Sequence, residues 1–318
     1  MNIHYSRPLS LGWDRMRKAL FQPFDITKWV RIGFTAWLAS FTDCSGGGTG
    51  GNSSNTDFSN SGLIDEFFKL PETAWQWLTN HPVWFNLIIA GIILTILIIS
   101  ILMWLSSRGK FMFLHNVVND RADVSYPWNE YKKEGNSLFL WQFIFGWISF
   151  GIILLLVVKG FITAKTLYYS DHTGAAIFQS VVYNILLIIG LAIVFAYISL
   201  FLKDFVAPIM YKKRIGVIDG WREFLTLFYP HILAFLGYGL FMFLLGIVAA
   251  IAIVFFAIFT CCIGLILLAI PFIGAVILLP ISYLFRAFSL EFLKQFGDDY
   301  NVFPLENDTP DKNIDHLK

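Results

Sequence analysis

Charged residues are scarce in this sequence, at 14% of the chain, against about 25% in a typical soluble domain. Hydrophobic residues make up 57% of the 318 positions, and the chain holds 33 phenylalanines. A soluble fold could not hide this much apolar surface, so the composition indicates a membrane protein. Lys plus Arg total 23 and Asp plus Glu total 22, so net charge gives no indication of nucleic acid or an acidic substrate as a partner.

Cysteine is equally rare, and three cysteines cannot form a disulfide framework. In the topology derived below, Cys44 and the neighbours Cys261 and Cys262 lie on the same outer side of the membrane. A disulfide between Cys44 and either of the other two is therefore geometrically feasible in an oxidising compartment. The alternative is that the pair consists of small apolar residues at a helix turn.

The motifs that commonly carry chemistry are also missing. The six histidines are scattered along the chain, and none has the HExxH spacing of a zinc protease. There is no P-loop and no GxSxG nucleophile motif. We therefore expect no metal, no cofactor and no catalytic residue, and we predict that the protein is not an enzyme.

Long uncharged runs are what the sequence does have. A helix needs about 20 apolar residues to cross a hydrocarbon core of roughly 30 Å. Six predicted spans meet or approach this length: residues 26–41, 83–105, 138–158, 176–202, and two within the charge-free run 232–285. A turn around residues 260–262 separates the last two, and Pro271 kinks the sixth. The first predicted span is the weakest, because it has only 16 residues and carries the charged residues Lys28 and Arg31 near its start.

Positive charges alternate between the connections. Six precede Phe34, one lies in residues 42–82, and five lie in residues 108–135. Two follow the third predicted span and five follow the fourth. This alternation satisfies the positive-inside rule for six spans with both termini in the cytoplasm. We therefore predict an all-α, polytopic membrane helix bundle in a cell membrane.

A repeated pattern divides the chain into three parts. YPWNEY at residues 126–131 and DGWREF at residues 219–224 each have a tryptophan, a glutamate and an aromatic residue at matching positions, and LGWDRM at residues 11–16 is a weaker copy. Each copy precedes a helix break and then a span. The matches predict three parallel repeats at approximately residues 1–118, 119–212 and 213–296, each with a cytoplasmic amphipathic helix. The alternative is that membrane interfaces favour tryptophan and charge without duplication.

The remaining segments complete the organisation. Residues 1–296 are predicted to form a single transmembrane domain. Within it, the Gly-, Ser- and Asn-rich residues 44–62 predict a flexible outer loop. Residues 63–80 predict an amphipathic outer helix interrupted at Pro71, with Trp75 and Trp77 at the membrane interface. The polar residues 297–318 are expected to form a disordered cytoplasmic tail.

The order of these elements supports a resemblance. A Gly-Trp amphipathic segment, a break, an apolar span and an exit like RGKFMF at residues 108–113 resemble a loose group of uncharacterised prokaryotic six-span membrane-domain families. The pattern is similar in style to the membrane domain of some glycerophosphodiester phosphodiesterases. The resemblance covers most of residues 1–296 and implies a lipid-associated protein of a prokaryotic inner membrane. We expect no phosphodiesterase activity, because the 22-residue tail cannot hold that catalytic domain.

Charged residues at the inner ends of the spans are the candidate binding residues. If the three repeats surround an axis, these ends converge and could bind phospholipid headgroups or a cytoplasmic partner. The candidate contacts are Arg108, Lys110, Lys203, Asp204, Arg222 and Arg286. The candidate interfacial anchors are the tryptophans of the repeated segments, Trp13, Trp128 and Trp221. The alternative is that all of these are ordinary interfacial residues.

Three classes of function are consistent with this pattern. We favour a non-enzymatic membrane protein whose basic amphipathic helices bind inner-leaflet lipid or an unidentified membrane or cytoplasmic protein. A transporter or channel along the threefold axis would require a continuous polar cavity. A lipid-modifying enzyme would require at least two titratable groups, such as His115 and His231, within hydrogen-bond reach. Nucleic acid is not expected as a partner.

Overall fold

The computed structural model of the protein describes residues 3–41, 61–170, 174–260 and 263–304. All regular structure in these residues is helical, which confirms the predicted all-α class. The α-helices are α1 (Ser6–Phe21), α2 (Ile26–Ser40), α3 (Ser61–Asn80), α4 (Pro82–Asn119), α5 (Ser125–Glu130), α6 (Lys132–Tyr169), α7 (Gly174–Phe201), α8 (Ala207–Lys213), α9 (Val217–Phe228), α10 (Ile232–Phe259), α11 (Ile263–Ala269), α12 (Pro271–Ile277) and α13 (Leu279–Lys294). A π-helical turn, Leu202–Val206, joins α7 to α8, and 3-10 turns lie at Tyr229–His231 and Asp298–Tyr300.

Four helical stretches are long and apolar enough to cross a membrane. They are Pro82–Asn119, Lys132–Tyr169, Gly174–Lys213 and Val217–Phe259. They contain the second to fifth predicted spans. A fifth crossing is reached if α12 and α13, which meet at a bend of 61°, count as one broken span. By length and composition, the described part of the chain therefore has four or five candidate spans, and the predicted six are not confirmed.

The first predicted span is the one that falls short. Helix α2 has 15 residues, which is about 22 Å at 1.5 Å per residue and less than a hydrocarbon core of about 30 Å. It contacts the last part of α4. The Ser106 hydroxyl donates to the Ala39 carbonyl at 2.8 Å, and Lys28 forms an ion pair with Asp120 at 2.8 Å. Helix α2 thus runs antiparallel to the last part of α4, from Ser106 to Asn119.

The sixth predicted span is broken at two points instead of kinked at one. Ile270 has an extended backbone and α12 begins at Pro271, because proline disfavours a helical conformation in the residue before it and suits the first helical position. The second break, at Leu278, produces the 61° bend. Helix α12 packs against α2, where the Trp29 indole nitrogen donates to the Val276 carbonyl at 2.8 Å.

Two compact units are formed from separated parts of the chain. The first comprises Met1–Asp43, Met103–Ile144 and Val194–Lys318, and the second comprises Cys44–Leu102 and Phe145–Ile193. Each unit draws on more than one of the predicted repeats, which stay a prediction. The first unit contains a continuous hydrophobic core built largely of aromatic and aliphatic side chains from α1, α2, α4, α8, α9, α10 and α13.

In the second unit, α3 continues through Pro71, although the sequence predicts an interruption there. Contacts on both sides of the proline hold the helix. Phe68 packs against Phe161, with ring centroids 5.6 Å apart, and Glu72 forms an ion pair with Lys165 at 2.6 Å. Packing of this kind compensates for the hydrogen bond that proline removes from a helix.

The first part of the tail is ordered, in contrast to the predicted disorder. Val302 and Phe303 are buried, because these apolar side chains leave water although the residues around them are polar. The Lys212 ammonium donates to the carbonyl oxygens of Asp298 and Asn301. Burial and a hydrogen bond to a glutamate raise the pKa of Tyr300 to about 12.

Some predictions fall on residues outside the described ranges. Residues 44–60 of the predicted outer loop, Cys44, the Cys261–Cys262 pair and residues 305–318 are among them. The disulfide therefore stays a prediction. The predicted turn before the sixth span falls between Phe259, where α10 ends, and Ile263, where α11 begins.

One crossing in the first unit requires glycine. A Cβ atom at Gly109 of α4 would lie 2.7 Å from backbone atoms of Leu38 and Ala39 in α2. Backbone atoms cannot move aside as a flexible side chain can, so a larger residue would separate the helices. Gly91 lies in the same helix, and a Cβ atom there would have no heavy atom within 4 Å.

We expect Gly109→Ala to lower the free energy of unfolding by about 1–3 kcal/mol, because α2 must move away from α4. Gly91→Ala is the matched control and should be neutral or slightly stabilising, since alanine favours a helix. Thermal unfolding of both variants in detergent, followed by tryptophan fluorescence, measures the difference. Equal midpoints would contradict the close crossing.

Candidate functional site

Three helix ends meet in the core of the first unit. They are the last part of α4, the π-helical turn with α8, and α13, which are the three charged exits identified in the sequence. Phe111, Phe205 and Phe288, one from each, are fully buried in the same core. Charged residues stand within two positions of each phenylalanine. Burial of the aromatic rings therefore draws Lys110, Asp204 and Arg286 into the interior as well, where all three are buried.

Asp204 and Arg286 form a buried ion pair. The Arg286 Nη1 and Asp204 Oδ1 atoms are 3.8 Å apart. Arg286 is only 4% exposed and Asp204 only 3%. Tyr238 of α10 donates its hydroxyl to Asp204 Oδ2 at 3.0 Å. The pair and this hydrogen bond join three separate helical segments, because each supplies one of the three side chains.

The π-helical turn explains why Arg286 is held at this position. The Ala207 N–H donates to the Leu202 carbonyl, and the next residue, Pro208, has no N–H to offer. The Lys203 carbonyl therefore lacks its backbone donor in the turn. Arg286 supplies one, because its Nη1 donates to the Lys203 oxygen at 2.8 Å. Three of the six predicted contact residues, Lys203, Asp204 and Arg286, are thus brought together.

A second ion pair joins α1 to α13. Arg15 donates to the carboxylate of Glu291, which is buried while Arg15 is partly exposed. The Arg15 guanidinium also lies over the Phe303 ring, with its central carbon 3.6 Å from the centroid. Arg15 therefore holds α13 and the ordered part of the tail against α1.

Arg108 lies in a different group of residues. Its Nε and Nη2 atoms donate to Asn136 Oδ1 at 3.3 and 3.2 Å. Its guanidinium carbon lies 4.5 Å from the Trp104 ring centroid and 4.9 Å from that of Trp128. Both distances fall within the range of cation–π attraction. The predicted contact Arg108 and the predicted anchor Trp128 therefore occupy one cluster.

The other predicted residues are dispersed. The Arg222 side chain is 77% exposed and faces Asp219 at 3.4 Å. Trp221 packs against Trp141, with centroids 5.5 Å apart, and its buried indole N–H has no hydrogen-bond partner among the described residues. Of the three predicted anchors, Trp13 has the indole most open to its surroundings, at 53% exposure.

A polar cluster around His115 is absent from the sequence-based predictions. His115 is buried, and its Nδ1 atom lies 3.1 Å from the Tyr211 hydroxyl. Asn119 Nδ2 donates to the same hydroxyl at 3.0 Å. Tyr211 in turn stacks on Tyr131, and burial raises the pKa of Tyr131. Tyr131 and Tyr211 each lie in a connection that the sequence places on the inner side. They are far apart in the sequence, so the sequence pattern does not reveal that they touch.

Arg214 borders this cluster and binds the nearby acidic groups. Its guanidinium stacks over the Tyr131 ring at 3.9 Å. It forms ion pairs with Glu130 at 2.6 Å and with Glu134 at 3.5 Å. A left-handed backbone conformation at Arg214, with φ of 56°, ends α8 and turns the chain toward α9. Both glutamates are therefore already engaged by a cation.

His115 and His231 do not form an acid–base pair with each other. His115 contacts Tyr211 and Asn119, whereas His231 lies against the Leu227 carbonyl and the Phe296 ring. Within residues 3–41, 61–170, 174–260 and 263–304, no three His, Cys, Asp or Glu side chains lie close enough to hold a metal ion. The hydrogen bond between His115 and Tyr211 thus joins separate helices.

These features define a class of protein: within the described residues, a helical membrane-type fold with four or five candidate spans and an ion pair buried where helix ends meet. Within that class, the chain belongs to DUF7544, a family of unknown function that matches residues 7–290. No curated protein and no solved structure matches the chain. The resemblance to phosphodiesterase membrane domains gains no support from these comparisons.

We expect Asp204→Asn to lower the free energy of unfolding by about 3–5 kcal/mol, because the buried Arg286 keeps its charge without the carboxylate. The double variant Asp204→Leu with Arg286→Met should be more stable than Asp204→Asn, since neither charge then remains in the core. Arg222→Gln is the control, and loss of its exposed pair should change stability by less than about 0.5 kcal/mol. Denaturant unfolding in detergent measures all three; wild-type stability of Asp204→Asn would refute the role of the pair.

Proposed function

We propose that the protein is a non-enzymatic, multi-pass membrane protein that holds anionic lipid at its inner-leaflet face through exposed side chains of α1 and the turn after it. The observation that carries the proposal is an aromatic and basic surface. Trp13, Phe21 and Phe24 are 53%, 46% and 60% exposed. Arg17 and Lys18 are exposed beside them.

The opposite side of α1 is fixed on the core. Met16, Ala19 and Leu20 are buried, and a Cβ atom at Gly12 would lie 3.1 Å from the Phe288 backbone nitrogen of α13. The helix therefore cannot turn its aromatic residues inward without losing these contacts. Large exposed aromatic groups indicate a binding surface.

Lipid is the partner that this surface fits best. Tryptophan and phenylalanine enter the boundary between headgroups and acyl chains, while arginine and lysine on the same helix stay at the headgroups. Each basic residue near an anionic membrane surface contributes about 1 kcal/mol of attraction. Alternating aromatic and basic residues, as in Trp13, Arg17 and Phe21, satisfy both requirements on one helix face.

The distribution of charge supports a cytoplasmic location for α1. The N-terminal segment holds Arg7, Arg15, Arg17 and Lys18, and positive residues concentrate on the cytoplasmic side. Helix α1, the exit of α4 and α13 belong to one compact unit, which supports a location of both chain ends on that side. We infer a prokaryotic inner membrane from the sequence resemblance.

A transport route has weaker support. The place where the three exits meet is filled by Phe111, Phe205 and Phe288, which have no exposed surface. A polar solute would have to displace these rings. The enzyme alternative is weaker as well, since the described contacts of His115 are to three tyrosines and an amide.

Lipid that co-purifies with the protein tests the proposal. After extraction in mild detergent, mass spectrometry should find anionic phospholipid enriched over its share in the source membrane. Arg17→Glu should weaken binding of anionic lipid at this face by about fivefold or more, since each basic residue contributes about 1 kcal/mol. Both Arg17 and the control residue Lys159 are exposed.

Lys159→Glu makes the same charge reversal on α6 and should leave the enrichment unchanged. If wild-type protein carries no more anionic lipid than its source membrane, the proposal fails. An equal loss in both variants would show that net charge, and not the surface of α1, controls lipid binding.

A further inference from the structure

Arg108 is a cation with a neutral partner. Its Nε and Nη2 atoms donate to the amide oxygen of Asn136. No carboxylate in the described ranges forms an ion pair with it, and its Nη1 atom has no protein acceptor there. A guanidinium carries five N–H groups in a planar fork. Arg108 therefore has N–H groups beyond those that donate to Asn136. These groups can donate two parallel hydrogen bonds to an anion.

The charges around Arg108 leave the site positive. Glu130 of α5 and Glu134 of α6 lie close to Asn136 in the sequence. Both are already paired with Arg214. Lys132 and Lys133 at the start of α6 are exposed and have no ion pair within the described part of the protein. Lys132 precedes Asn136 by four residues, so both lie on one face of α6. An anion at Arg108 would be attracted by these lysines also.

Arg108 directly follows an uncharged run that is long enough to cross a membrane. Residues 83–107 contain no charged side chain, and a helix of that length rises about 37 Å, enough to cross a hydrocarbon core of about 30 Å. Arg108 is the first charge after this run. Trp104 and Trp128, which contact its guanidinium, are of the residue type that concentrates at the membrane interface.

The geometry of Arg108 is already restricted before any ligand binds. The Trp104 indole nitrogen donates to the same Asn136 oxygen at 3.1 Å, so one amide orients both side chains. A Cβ atom at Gly135 would lie only 3.1 Å from the Arg108 Cγ atom, so the absence of a side chain there lets the arginine stem lie close to α6. A side chain held in place loses less entropy on binding.

We infer that Arg108, Trp104, Trp128 and Asn136 form a binding site for a phosphate group. Arg108 donates two hydrogen bonds to phosphate oxygens, Asn136 holds the guanidinium plane, and Lys132 adds long-range attraction. The inference rests on the proposed function, because it names the chemical group that the lipid presents. The same chemistry could come from a phospholipid headgroup or from soluble phosphate.

The test uses the full chain in detergent, with phosphatidylglycerol, phosphatidylcholine and inorganic phosphate as probes. Native mass spectrometry gives lipid binding constants, and thermal unfolding gives the rise in midpoint caused by each probe. We expect Arg108→Ala to weaken phosphatidylglycerol binding about tenfold, which corresponds to about 1.4 kcal/mol for a charge-assisted hydrogen bond. Arg108→Lys should recover only part of this loss, since lysine keeps the charge but not the planar fork.

The matched control is Arg121→Ala. Arg121 is an exposed arginine of the same unit that lies outside the proposed site, and its loss should change the binding constant by less than about twofold. A purely structural role of Arg108 would lower the midpoint without lipid and leave the rise caused by phosphatidylglycerol intact. If Arg108→Ala does not fold, Arg108→Lys and Asn136→Ala decide, because both keep the positive charge.

The outcomes separate the site from the proposed function. Equal binding of both lipids by wild-type protein would overturn the proposed function and the site together. A phosphatidylglycerol binding constant that Arg108→Ala leaves unchanged would overturn the site alone, because binding at α1 would then account for the preference. Displacement of the lipid by millimolar inorganic phosphate, lost in Arg108→Ala, assigns the site to soluble phosphate; no displacement assigns it to the headgroup.

Discussion

Charge is excluded from the apolar helices of this protein and is therefore concentrated at their ends. Helices in an apolar medium satisfy their backbone groups internally, but a charged side chain there needs either water or a partner. The first unit provides partners where the exits of α4, α7 and α13 meet. Aromatic rings such as Phe205 and Phe288 fill that core, and the Asp204–Arg286 pair is buried among them.

The clearest link between local sequence and tertiary structure is the π-helical turn. Pro208 removes one N–H donor, and the carbonyl of Lys203 is left for a side chain. Arg286, distant in sequence, supplies the hydrogen bond and pairs with Asp204. A buried guanidinium without acceptors and a carbonyl without a donor would each lower the stability of the fold. Here the guanidinium donates to that carbonyl, so both groups have a partner. This interdependence gives the helix ends one preferred arrangement.

Sequence reasoning succeeded where apolar length alone determines structure. The long runs that contain Val83 and Leu186 form helices of the expected kind. The predicted span at α2 is not confirmed, because a 15-residue apolar helix can either span a membrane or pack in a core. The close contact of α2 with Gly109 of α4 is one that no local pattern contains. The buried Phe303 was missed for the same reason, since it lies among polar residues.

The amino-acid sequence by itself determined the helical class, the apolar stretches and the placement of charge, because these follow from side-chain chemistry summed over neighbouring positions. Only the tertiary structure decided which charges neutralise each other. Arg286 pairs with an aspartate and Arg214 pairs with two glutamates. Arg108 instead donates to an amide oxygen and lies over two tryptophan rings. These three arginines are chemically identical in the sequence. The partner that long-range packing brings within hydrogen-bond distance places two of them in ion pairs and gives the third a neutral amide.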